Sequence, residues 1–202
     1  MQKGLLIVVS SPSGGGKGTL MTELRKRSDK LKMSISATTR DPRPGEEHGV
    51  HYYFIDKAQF EENIRKGEML EYAEYCGNFY GTPKAPVEAW LEAGNDVILE
   101  IEVQGGAQIK KAAPDCVSIF ILPPSLEILE QRLRGRGTES DEVVQKRLAA
   151  AREEISHACE YDYAVVNDTV EEAVQNIESI LQAERLRSAR EADVIERIME
   201  SC

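Results

Sequence analysis

The chain has little of what marks several large protein classes. Its four cysteines, Cys76, Cys116, Cys159 and Cys202, are widely spaced and form no C-x-x-C pair, which excludes a zinc site and a disulfide framework and predicts reduced thiols. Its three histidines, His48, His51 and His157, lack paired ligand spacing and are assigned no catalytic role. Aromatic residues make up only 6% of the sequence, and Tyr53, Phe54 and Trp90 read as ordinary packing. No apolar run approaches the length of a membrane span, and Met1-Gln2-Lys3-Gly4 leads straight into a short apolar segment, so neither secretion nor membrane insertion is expected and a cytoplasmic location is. Positive charge is outnumbered, 25 Lys and Arg against 35 Asp and Glu for a formal net charge of -10. That balance excludes a DNA or RNA backbone as the main partner, so any anion site must be a local basic cluster. No internal repeat or low-complexity tract appears.

What is present suffices for one substantial core. With 202 residues and 41% hydrophobic content the chain reads as one domain carrying insertions. Its most informative stretch is Ser11-Pro12-Ser13-Gly14-Gly15-Gly16-Lys17-Gly18-Thr19, which follows the apolar run Leu5 to Val9 and leads into a helix beginning near Leu20. A buried strand, a glycine-rich loop and a helix N-terminus form a phosphate cradle. Glycines let successive backbone N–H groups turn toward phosphate oxygens, the helix end favours negative charge, and Lys17 reaches the terminal phosphates. The strict pattern G-x-x-x-x-G-K-[ST] is met imperfectly, because Ser11 stands at the first glycine and Gly18 at the hydroxyl position, with Thr19 one residue late.

Patterning predicts further strands over Met33–Ala37, His51–Ile55, Met69–Tyr75, Asp96–Ile101, Val117–Leu122 and Tyr163–Asn167. It predicts helices over Lys57–Lys66 with Asp56 as cap, over Ala85–Ala93, from about Gly105 to Ala112, and from Val170 onward. From Ser125 the chain reads as helical with a break at Gly135-Arg136-Gly137-Thr138, and Ala183 to Cys202 as an exposed charged tail helix. Strands joined by helices predict a parallel sheet covered on both faces, with ligands at the carboxyl ends of the strands. Residues between about 36 and 88 break that alternation, with hairpin and loop signals at Gly77-Asn78 and Asp41-Pro42-Arg43-Pro44-Gly45, and look like a small β-rich lobe.

Five ordered blocks resemble the guanylate kinase family: the loop from Ser11 to Thr19, Ser36 to Glu46, Gly77 to Thr82, Glu100-Ile101-Glu102-Val103-Gln104-Gly105, and Arg132 to Gly137. They span nearly all of residues 4 to 183. The resemblance implies an α/β fold with a parallel sheet of the P-loop NTPase type flanked by helices. It also implies a GMP-binding lobe over about 36–88, a helical lid over about 126–150, and a C-terminal helix over 184–202 outside the domain. The implied activity is γ-phosphoryl transfer from ATP to GMP, and to dGMP, with Mg²⁺ as cofactor. Its partners would be these nucleotides, with no nucleic acid and no membrane; a homo-oligomer is compatible with it.

The resemblance also implies roles for individual residues. Ser11 to Thr19, with Asn167 and Asp168, would hold ATP. Ser36, Arg40, Arg43, Tyr52, Glu71, Tyr80, Thr82, Glu100 and Glu102 would hold GMP. Lys17, Arg40, Arg132, Arg136 and Arg147 would act in catalysis, with Gly135 and Gly137 giving the lid freedom to close, and Mg²⁺ would be held mainly by phosphates and water near Thr19 and Glu102. Physical chemistry supports the assignments: a carboxylate is acceptor-only and matches the N1–H and 2-amino donors of guanine, while adenine offers an acceptor at N1. Hydroxyls on Ser36 and Thr82 can donate to O6 and N7, and Arg40 and Arg43 suit a phosphate dianion. A loose phosphoryl-transfer transition state asks for positioned arginines rather than a nucleophile. Glu100 and Glu102 stand where the family often has Asp, which adds a methylene to each. A non-catalytic binding module of the same fold is the alternative, disfavoured by the intact Lys17, Gly14 to Gly16 and lid arginines; a kinase for a phosphorylated sugar is disfavoured by Glu71, Ser36 and Thr82.

Overall fold

The computed structural model describes residues 3–75, 77–135 and 140–201. In chain order its elements are β1 (Leu6–Ser10), α1 (Lys17–Arg27), β2 (Leu31–Met33), β3 (Ala37–Thr38), β4 (Tyr53–Phe54), α2 (Lys57–Arg65), β5 (Met69–Tyr75), β6 (Asn78–Pro83) and α3 (Lys84–Glu92). There follow β7 (Asp96–Glu100), α4 (Val103–Ala112), β8 (Val117–Leu122), α5 (Leu126–Arg134), α6 (Asp141–Ser156), β9 (Tyr163–Val166), α7 (Val170–Arg185) and α8 (Ala192–Glu200).

The strand β1 lies at the centre of a five-stranded sheet of order β2-β7-β1-β8-β9 in which every pairing is parallel. Parallel strands are buried on both faces, which is why β1 and β8 read as continuous apolar runs rather than alternating ones. Pleating sends Ile7 and Val9 to one side, among Leu20, Met21 and Leu24 of α1 and Val174, Ile177 and Leu181 of α7. Val8 faces the other side, with Val87 and Leu91 of α3 and Ile109 of α4. One buried carboxylate fastens these layers: Asp96, at the start of β7, accepts the Leu5 N–H at 2.9 Å and pairs with Arg185 of α7.

The strand expected over Met33–Ala37 is instead two short strands in different sheets. Ser34 N–H still bonds to Ile98 C=O at 2.9 Å, but the chain then leaves the core and Ala37–Thr38 enters the lobe. The alternating pattern is continuous across the crossing, so periodicity could not reveal it. The lobe is a four-stranded sheet of order β4-β3-β6-β5, with β3 and β4 parallel and the other pairings antiparallel. Asp56 caps α2 by accepting the Gln59 N–H at 2.8 Å, and α2 anchors the lobe through the fully buried Phe60, stacked on Phe79 with centroids 5.3 Å apart.

Helices α5 and α6, expected to form a lid, share a small core of Leu129 and Leu133 with Val144, Leu148 and Ala151. Gly135 has φ -63°, an ordinary helical value, so its conformation does not require glycine; Gly137 lies outside the described residues. The single tail helix expected from Ala183 is also corrected. α7 runs to Arg185, where the buried Glu184 accepts from the Tyr163 hydroxyl at 2.6 Å, and the separate α8 leaves Ile195, Ile198 and Met199 exposed.

Candidate active site

The phosphate loop joins the carboxyl end of β1 to the first turn of α1, at the topological switch point of the sheet. Gly14 and Gly16 adopt φ of 90° and 89°, a region that side chains rarely enter, so glycine is required at both. No side chain caps α1, which leaves its first N–H groups available to an anion. A Cβ on Gly16 would also come within 2.3 Å of the Asn167 amide nitrogen. Gly18 is different: nothing lies within 4 Å of the Cβ it lacks, and Thr19 beside it is exposed.

Lys17 donates to the Ile101 C=O at 3.3 Å. Burial pushes its pKa down, opposed by the charges of Glu100, Glu102 and Glu154. Asn167 donates to the Gly15 C=O at 2.9 Å, and Arg132 donates through Nη2 to the Asn167 C=O at 2.9 Å. The other terminal nitrogen of Arg132 is buried without a protein acceptor, about 4.0 Å from where a Gly16 Cβ would stand, and so offers a donor beside the loop.

Helix α6 grips the loop at Ser13. Arg147 donates to the Ser13 hydroxyl, and Glu154, on the same helix face, accepts the Ser13 N–H at 3.2 Å. Burial raises the Glu154 pKa, opposed first by the Ser13 N–H. Sequence reasoning missed Glu154. Glu153 and Glu154 are neighbours on a polar helix and look alike in sequence, and only the docking of α6 on the loop singles one out.

In the lobe, Glu71 of β5 and Thr82 of β6 are register partners, both buried, and the Thr82 hydroxyl donates to Glu71 Oε1 at 2.7 Å. Thr82 thus uses its proton on the carboxylate rather than holding it ready for a base. Burial raises the Glu71 pKa, opposed by bonds from the Thr82 hydroxyl and backbone. Ala37 pairs with Gly81, and one step along that antiparallel register puts Ser36 level with Thr82. Ser36, Thr82 and Glu71 therefore form one row across three strands.

Arg40 meets Glu46 in a two-pronged pair at 2.9 and 3.0 Å, with its guanidinium 5.5 Å from the Tyr52 ring centroid. The pair holds Arg40 above its ordinary value and lowers Glu46 to about 2. Tyr52 and Tyr80 meet edge to face at 6.2 Å. Arg43 is exposed and contributes its backbone N–H, which donates to Glu46 at 2.7 Å. Glu46 is the second residue whose role the sequence did not disclose: it stands in the loop block, where its residue type alone assigns it no task.

Glu100 ends β7 and Glu102 is the N-cap of α4; both are exposed. The charge of Glu100 works against the lowering of the Lys17 pKa by burial. Asp168 is exposed beside Asn167, Arg134 pairs with Glu130 and Asp141, and Arg136 lies outside the described residues. Among the described residues no group of three carboxylate, histidine or cysteine ligands could hold a metal by itself. The isolated carboxylates Glu100 and Glu102 near Lys17 fit a Mg²⁺ that keeps phosphate oxygens and waters as most of its ligands.

Comparison with known proteins identifies the family. The guanylate kinase family model matches residues 3–184. The chain is 53% identical over 195 residues to guanylate kinase of Desulfitobacterium hafniense, covering 96% of this chain and 98% of that one. It is 55% identical over 190 residues to guanylate kinase of Carboxydothermus hydrogenoformans, covering 94% and 93%. The crystal structure of guanylate kinase from Anaplasma phagocytophilum superposes with a TM-score of 0.75 at 37% identity, covering 94% of this chain and 90% of that one.

Proposed function

The chain belongs to the guanylate kinase family and is an ATP:GMP phosphotransferase; from that premise we propose how its residues divide the work. ATP lies along the loop from Ser11 to Thr19, its phosphates facing the uncapped N-terminus of α1 and Lys17, with Asn167 and Asp168 beside its base and ribose. GMP lies in the lobe. Glu71 accepts from guanine N1–H and the 2-amino group, Thr82 holds that carboxylate in place through its hydroxyl, Ser36 donates toward the O6 and N7 edge, and Arg40, Arg43, Tyr52 and Tyr80 hold its phosphate. The observations that support this reading are the row of Ser36, Thr82 and Glu71 in the lobe and, in the phosphate loop, the positive-φ glycines before the uncapped end of α1.

An oxygen of the GMP phosphate attacks the γ-phosphorus in line; a P–O bond forms to GMP while the bond to the β-phosphate oxygen breaks, and ADP leaves with the electron pair. The acceptor is already ionised near neutral pH, so no side-chain base is needed. Mg²⁺, when bound, would supply positive charge against the charge developing on the phosphates. Lys17, Arg132 and Arg147 offer donors to the transferring group, a task in which the family resemblance also enlists Arg136, and closure of α5 and α6 excludes water. Thr19 and Glu102 would be the residues to hold the cation's waters.

In this reading dGMP is also accepted, the supply of ATP and GMP sets the reaction in the cytoplasm, and the product feeds GTP synthesis. The net charge of -10 makes nucleic acid a poor partner, and no helix among the described residues is long and apolar enough to cross a membrane. Turnover of GMP, AMP, CMP and UMP measured side by side, with calorimetric titration of GMP and then of a non-hydrolysable ATP analogue, tests the proposal. Clear preference for GMP and two separate sites are expected; equal turnover of AMP would overturn the guanine assignment.

A further inference from the structure

The base-reading carboxylate stands on an edge strand, and the core holds that strand in place. In the lobe sheet β5 has β6 on one side only, and among the described residues no strand pairs with its outer edge. At Tyr72, the residue after Glu71, both backbone groups are taken by one side chain from the core: Tyr72 N–H donates to Gln108 Oε1 at 3.2 Å, and Gln108 Nε2 donates to Tyr72 C=O at 2.9 Å. The carboxamide of Gln108 thus imitates the peptide of an absent neighbouring strand, with one acceptor and one donor in the spacing of a peptide group.

The same helix also meets Glu71 itself. Gly105 lies three residues before Gln108 on α4, hence on the same face, and a Cβ there would stand 2.9 Å from Glu71 Oε2. Helix α4 therefore approaches β5 twice: a bare backbone leaves room for the carboxylate, and a carboxamide holds the adjoining peptide. Glu71 Oε1 already accepts from Thr82, so the carboxylate's orientation is set from the lobe side by a hydroxyl and from the core side by the strand that carries it.

We propose that Gln108 is a positioning residue for guanine recognition: by clamping the Tyr72 peptide it holds β5, and with it Glu71, at the angle from which the carboxylate reaches both N1–H and the 2-amino group. The inference rests on the assignment of Glu71 as the guanine reader. It predicts a specific signature. Inosine monophosphate keeps N1–H but lacks the 2-amino group, so discrimination between GMP and IMP measures one of Glu71's two bonds and is blind to general loss of stability.

The experiment is steady-state kinetics of the full chain with GMP and with IMP, for wild type, Gln108→Ala, Gln108→Glu and Glu71→Gln. Gln108→Glu still accepts from the Tyr72 N–H but opposes the Tyr72 C=O, and serves if the alanine variant does not fold. For the Gln108 variants we expect the ratio of kcat/KM for GMP over IMP to fall about tenfold, the equivalent of one well-placed charge-assisted hydrogen bond, with KM for ATP unchanged. If Glu71→Gln collapses the ratio while folded Gln108 variants keep it, the inference about Gln108 is overturned. If Glu71→Gln leaves the ratio intact, the assignment of Glu71 itself fails.

Discussion

The two halves of the site treat an anion in opposite ways. The phosphate loop offers backbone N–H groups and one half-buried lysine, whereas the lobe offers arginine and tyrosine side chains near solvent. Lys17 has three carboxylates acting on it, yet burial outweighs them and lowers its pKa; Arg40 has one carboxylate in direct two-pronged contact, and that contact raises its pKa. Distance and dielectric decide between these outcomes. Through-space charges compensate poorly for lost hydration, while a bidentate pair stabilises the charged form of both partners. The loop therefore presents a cation without a carboxylate in direct contact, and the lobe presents one already paired with Glu46.

The contrast is sharpest at its two anchors. Lys17→Ala is expected to lower kcat by about a hundred- to thousandfold, as the loss of one preorganised donor at a developing charge does, with little change in KM for GMP. An effect confined to KM for GMP would break the division between halves. Next in size is Glu71→Gln, for which KM for GMP should rise about ten- to a hundredfold while KM for ATP holds.

The same variant carries a stability test with the opposite sign. Burial raises the folded-state pKa of Glu71 above its unfolded value, so the native state holds a proton that the unfolded chain has released across that window. Stability contributed by this group therefore falls as pH rises from the ordinary carboxylate range through the raised value. Glu71→Gln should remove that fall and melt higher than wild type at neutral pH while binding GMP more weakly; melting curves from about pH 4 to 8 would measure it. Glu46 has the reverse behaviour: its pair with Arg40 is fully formed above the ordinary carboxylate range and lost as pH falls toward about 2, which carboxyl NMR titration can follow.

A smaller effect is expected at the junction of the halves. Glu154→Ala leaves the Ser13 N–H without its acceptor and loosens α6 from the loop, and should cost about tenfold in kcat, or roughly 1–2 kcal/mol. Unchanged kcat would show that α6 needs only Arg147 to engage the loop. The smallest concerns Gly18, where open space surrounds the missing Cβ: Gly18→Ala should stabilise the protein by about 0.5–1 kcal/mol in thermal unfolding.

The core was readable in advance because its signals are local. β1, the loop and α1 are contiguous, and β8 and β5 lie where apolar runs and turn residues put them. The crossing at Ser34 to Ser36 was not, since a strand that changes sheets keeps its period. Among site residues, Lys17, Arg40, Glu71 and Thr82 stand in or beside blocks with a family pattern. Glu154, Glu46 and Gln108 do their work through a partner distant in fold or hidden within a loop, and no spacing rule marks one polar residue above its neighbours.

By itself the sequence determined the strand-loop-helix phosphate cradle and the parallel sheet, because glycine conformation and apolar periodicity act over a few residues, while the residues expected around a guanine and its phosphate came from the resemblance to guanylate kinases. Only the tertiary structure decided that Thr82 gives its proton to Glu71, that Glu46 occupies Arg40, that α6 holds Ser13 from both sides and that Gln108 completes the edge of β5. Those outcomes depend on which groups burial brings within hydrogen-bond reach, and burial is a property of the packed chain rather than of any segment of it.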